Sequence, residues 1–124
     1  MKDNLAKMFA LREEFMHAIR EKYPSSYPEW PVDVSKKRSQ KALRDSALKG
    51  VEEMFEALQH LKNWKTHKKK GSVDFERDEF LEEIVDAFNY FFAMLVMLGV
   101  SPEELMEAYE AKNKKIHERL VGSY

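Results

Sequence analysis

At 124 residues, with 21 basic and 22 acidic side chains and a net charge of −1, the chain can hold one core and offers no global basic excess to nucleic acid or an anionic bilayer. It contains no cysteine, which excludes disulfides, thiolate zinc sites and a cysteine nucleophile. The start, MKDNLAKMFALREEF, is charged throughout and is no signal peptide, and the longest apolar stretch is too interrupted to span a bilayer. A soluble, cytoplasmic, single-domain protein over residues 1–124 is expected.

No strand pattern appears, and the periodicity is helical. Helix 1 is expected from Asp3 to Lys22, with Leu5, Met8, Phe9, Phe15, Met16 and Ile19 on its apolar side. The stretch YPSSYPEWPVD then holds three of the four prolines and cannot be helix. Helix 2 is expected from about Ser39 to Lys62–Lys65, with Gly50 inside it as a mild weakness or a place of close backbone approach. After the lysine-rich loop KTHKKKGS, helix 3 starts between Asp74 and Asp78 and stops at Gly99. Its second half is apolar nearly all round, as in a central helix or a subunit interface. Helix 4 opens with Ser101 as cap, Pro102 in the first helical position and Glu104 completing a capping box, and runs to about Leu120. The expected fold class is all-α, a bundle of four to five helices. Eight phenylalanines, five tyrosines, two tryptophans and seven methionines exceed what a small monomer hides, so a homodimer or a dimer of dimers is expected.

Two acidic pairs stand out. Glu53 and Glu56, and Glu83 and Asp86, lie three apart on their helices and so share a face. Asp86 is the only charge between Ile84 and Val100, and an ionised carboxylate in an apolar helix needs a partner. Two such pairs facing each other across a bundle would be joined by divalent cations. Mg²⁺, or Mn²⁺ in its place, takes hard oxygen ligands together with water and phosphate. Glu52 and Glu82 lie one step round, as outer ligands or surface acids. In a chain that is 35% charged, an E-x-x-E on a helix is more often a solvated face, and only the position of Asp86 tips the balance towards a site. A di-iron site needs E-x-x-H on two helices, and only Glu14–His17 fits. Zincin, P-loop and Rossmann patterns are absent. Trp64, Lys65 and His67 follow helix 2 in the run HLKNWKTHKKK, where an ordinary soluble loop is the plainer reading. Trp30 and Tyr27 in the proline loop are candidate stacking rings or packing residues.

The segments VEEMFEAL, LEEIVDAFNYFF and YEAKNKKIHERLVGSY resemble the dimeric all-α dUTPases and the wider MazG-like nucleoside triphosphate pyrophosphohydrolases. The family signature EE-x-x-E followed by E-x-x-D is matched by Glu52, Glu53, Glu56, Glu83 and Asp86. The dUTPase tail K-N-x-x-N-x-x-R is matched by Lys112, Asn113 and Arg119, with Tyr109 before it and Tyr124 after it. The resemblance implies Mg²⁺-dependent conversion of a dNTP, dUTP first, to dNMP and pyrophosphate. Glu53, Glu56, Glu83 and Asp86 would hold the metal, and Glu53 or Glu56 would activate water. Asn89, Lys112, Asn113, Arg119, Lys65 and Trp64 would bind substrate. Two departures bear on the base. Ile116 stands in place of the second tail asparagine, and Arg12 and Met16 in MFALREEFM occupy places where those enzymes read uracil. Another dNTP, dCTP or a purine, is the alternative substrate, and a non-catalytic helical interaction module the alternative function.

Overall fold

A computed structural model describes residues 3–67, 71–72 and 74–122, and these form an all-α structure. The helices are α1 (Asn4–Lys22), α2 (Lys37–Leu58), α3 (Arg77–Leu98) and α4 (Pro102–Gly122). No single helix among the described residues is long and apolar enough to cross a membrane.

The helix ends follow from local chemistry. Asp3 caps α1, its Oδ1 accepting from the Ala6 N–H at 3.0 Å. The expected cap of α4 is formed, Ser101 Oγ accepting from the Glu104 N–H at 3.1 Å. At the end of α3, Gly99 has φ of +83°. The Val100 N–H returns to the Leu95 carbonyl and the Gly99 N–H to that of Val96, a complete Schellman closure. α2 departs from expectation at both ends. It begins at Lys37, two residues before the expected start, with Ser39 buried in its first turn. It ends at Leu58 because the N–H groups of Gln59, His60 and Leu61 bond three residues back, tightening the chain out of the α-helix before Lys62.

The chain divides into two compact units, one formed by the residues up to Val32 with those from Leu95 onward, the other by Asp33–Met94. In the first, α1 packs on α4. Met16 and Met97 are fully buried, with Phe9 and Val96 close behind. The proline loop is tied back to α1. Trp30 Nε1–H donates to Glu13 Oε2 at 2.8 Å, Arg12 donates to the Tyr27 hydroxyl at 3.0 Å, and His17 lies against the Trp30 ring. The Val32 N–H donates to the Met97 carbonyl, and Pro31 packs close to Gly99.

In the second unit, Ser46, Gly50 and Glu53–Glu56 meet Tyr90, Phe91 and Glu83 in turn, so α2 and α3 run antiparallel there. Ser46 Oγ–H donates to the Tyr90 carbonyl at 2.7 Å. Gly50 admits a neighbour as its position suggested, but the neighbour is the Phe91 ring rather than a backbone, and a Cβ there would overlap it. Gly50→Ala gains about 1 kcal/mol of helix propensity and forces the ring aside at about 1–3 kcal/mol. The expected result is a net loss near 1 kcal/mol in urea unfolding, with Phe91→Leu alongside it restoring part of the loss.

Candidate metal centre

α2 and α3 bring three carboxylates together. One oxygen from each of Glu53, Glu56 and Glu83 lies within 4.8 Å of the others. Glu53 and Glu83 are half-buried and Glu56 is exposed. The i,i+3 spacing on α2 and the antiparallel approach of α3 make this convergence, with Gly50 and Ala57 allowing the helices close on either side.

Electrostatics mark Glu53 as the focus. Its carboxyl titrates above the ordinary glutamate range, first because it is partly withdrawn from water, then through a hydrogen bond shared with Glu56. The negative charges of Glu56, Asp86 and Glu83 push it further in the same direction. Among the described residues, no lysine or arginine forms an ion pair with any of the four acids. Three hard oxygen donors with no ion-paired base among the described residues could hold a divalent cation such as Mg²⁺ or Mn²⁺.

Asp86 departs from the reasoning that singled it out. It is exposed, not enclosed in an apolar helix, because the outward face of α3 is itself open: Val85 and Phe88 are about half exposed. Asp86 stands outside the three-carboxylate group and lines a shallow groove with Asp78, Leu81, Glu82 and Val85. It still acts on the cluster through its charge on Glu53. Asn89, one turn further along α3, is half-buried, and among the described residues its amide makes no hydrogen bond.

Beyond α2, Trp64 stands 68% exposed beside a second groove lined by His60, Leu61, Asn63, Asp74 and Phe75. The Lys65 ammonium lies 5.5 Å from the Trp64 ring centre. His60 sets its ring edge-on to Phe80, a packing contact.

Lys112, Asn113 and Arg119 lie on α4, in the other unit, with Lys112 and Arg119 exposed. Asn113 uses its amide within the helix, donating to the Tyr109 carbonyl at 2.9 Å. Tyr124 lies outside the described residues. In α1, Met16 is fully buried and Arg12 is engaged by Tyr27, so Met16 is a core residue and not a reader of substrate. The Glu14–His17 spacing weighed for iron is not used. His17 lies 3.9 Å from Glu13 instead, and Glu14 is exposed. The Glu13–His17–Trp30 cluster escaped sequence reasoning because its third member comes from the proline loop, although E-x-x-x-H on α1 was there to be read.

Comparison with protein-family models, curated proteins and solved structures returned no match.

Proposed function

We propose that this chain is a Mg²⁺-dependent nucleoside triphosphate pyrophosphohydrolase that converts a dNTP to dNMP and pyrophosphate, with dUTP the first substrate to test. The observation that carries the reading is the convergence of Glu53, Glu56 and Glu83 within 4.8 Å without a basic partner among the described residues. The ordered EE-x-x-E and E-x-x-D motifs, with their resemblance to the MazG-like and dimeric dUTPase enzymes, supply the chemistry.

Glu53, Glu56 and Glu83 are the carboxylates assigned to the metal. A divalent ion held there supplies polarisation of the phosphoryl oxygens and offsets the charge of the departing pyrophosphate. Glu53, whose proton affinity its neighbours raise, is the base placed to take a proton from the attacking water. The carboxylate of Asp86 strengthens that affinity from the side of α3. Lys65 beside Trp64 is the side chain assigned to phosphate oxygens, and Asn89 to the sugar or base. With Met16 in the core and Arg12 held by Tyr27, neither offers an amide to the uracil edge, so dCTP and the purine dNTPs belong beside dUTP.

The test is a panel of dNTPs with Mg²⁺ or Mn²⁺, read as release of monophosphate and pyrophosphate. At least one nucleotide should turn over, and the melting temperature should rise by several degrees with the ion and a non-hydrolysable analogue at about 100 times their Kd. No turnover and no ion-dependent shift in a folded sample would leave the second reading, a helical interaction module, which the exposed apolar faces of α2 and α3 favour.

A further inference from the structure

The groove beyond α2 adjoins the carboxylates. His60 comes four residues after Glu56 and Phe80 three residues before Glu83, and their rings meet edge-on with centres 6.5 Å apart. His60 also lines the groove, which therefore opens about one turn from the acids. Its volume of about 360 Å³ is that of a small-molecule site. Two aromatic rings furnish it, Trp64 and the 45% exposed Phe75. Phe75 is braced by Phe80, with ring centres 5.3 Å apart, whereas no ring lies against Trp64 among the described residues. An open indole and a braced phenyl in one concavity suit the stacking of a planar base.

The polar groups in the groove say which base. Asn63, just after α2, and Asp74, just before α3, both line it. Neither side chain has a hydrogen bond or an ion pair among the described residues. Nor does α3 need Asp74 for its dipole, since Asp78 and Glu79 already occupy its first turn. A carboxylate only accepts, while an amide both donates and accepts. Uracil and thymine offer one ring N–H between two carbonyls, which a carboxylate repels. Cytosine and adenine set an amine beside a ring acceptor. Guanine alone puts a ring N–H next to an amine, a donor pair for both oxygens of a carboxylate, and keeps N7 and O6 for an amide.

We propose, resting on the dNTP reaction assigned to the cluster, that this groove holds the base and that Asp74 selects guanine. Its carboxylate accepts from the ring N–H and the amine, the Asn63 amide meets the N7 and O6 edge, and Trp64 stacks on the ring. Base recognition then belongs to the groove and not to Asn89, which lies beyond the cluster on α3.

Fluorescence titration with deoxynucleosides in EDTA tests this apart from the reaction, because neither metal nor phosphate takes part. Deoxyguanosine should quench Trp64. Deoxyinosine, which lacks the amine, and deoxyuridine should each bind about tenfold more weakly. Trp64→Phe should abolish the response, since Trp30 already has its N–H and one face engaged. Asp74→Asn should bind deoxyguanosine no better than deoxyinosine, while Asp74→Glu, which keeps the carboxylate, should preserve the order. Circular dichroism verifies that each variant keeps its helix content. With Mg²⁺, kcat/KM for dGTP should exceed that for dUTP about tenfold, and Asp74→Asn should erase the difference. Quenching in the expected order without turnover would remove the reaction and keep the groove as a guanine site. No quenching by any nucleoside, equal binding of deoxyguanosine and deoxyuridine, or an Asp74→Asn variant that keeps the preference would overturn the proposal.

Discussion

Glu53→Gln is expected to remove nucleotide hydrolysis by about 10²–10⁴-fold, the range for a lost general base, while making the metal-free protein more stable. The two effects share a cause. Glu53 titrates above the ordinary value of 4.5 because it is partly withdrawn from water and sits among Glu56, Asp86 and Glu83. Between the ordinary value and the raised one, the folded chain binds a proton that the unfolded chain has released. The stability conferred by that proton is complete below about pH 4.5 and is lost as pH rises through the raised value. In EDTA the melting temperature of the parent protein therefore falls across this window, and glutamine, which keeps the shape and a hydrogen bond without the charge, flattens the fall. Added Mg²⁺ restores the parent and not the variant. Equal pH profiles for the two, or a variant with near-normal turnover, would remove Glu53 from the site. Asp86→Asn should reduce activity as well and should lower the titration of Glu53, since its charge reaches that carboxyl.

Met16→Asn is expected to cost about 2.5–6 kcal/mol, through about 1.5–3 kcal/mol of lost apolar burial and about 1–3 kcal/mol for an amide left without partners. The substitution is informative because it places a polar residue where the resembled dUTPases use one to read uracil. Here the position is fully buried, under the same core as Phe9 and Met97. Urea unfolding followed by far-ultraviolet circular dichroism measures the loss, and a change below 1 kcal/mol would show that Met16 does not anchor its unit. Met16→Leu, which conserves volume, should cost less than about 1.5 kcal/mol.

How far the sequence could be read depended on the range of the forces involved. The four helices, the Ser101 cap and the Gly99 stop were legible because period, cap and positive-φ glycine are each decided within a few residues. The shared face of Glu53 and Glu56 was legible too, since spacing along one helix fixes which acids lie together. The end of α2 was not, because apolar Leu61 continued the helical pattern while the backbone had already tightened to three-residue bonds. Nor was the exposure of Asp86. An apolar run says that a helix seeks cover, not which face obtains it within one chain, and Val85 and Phe88 remain open beside that acid. The engagement of Trp30 by Glu13 joins residues seventeen apart through a proline loop, and no local pattern encodes it.

The two indoles of this chain fall one to each unit, Trp30 beside α1 and Trp64 after α2. Trp30 has its ring N–H held by a carboxylate and an imidazole against its face, while Trp64 looks out into solvent. Their emission is therefore separable: a soluble quencher such as iodide reaches Trp64 first, and the residual fluorescence belongs to α1 and its loop. The protein thus comes with an optical reporter for each half, and the unfolding of one can be followed apart from the other without a label.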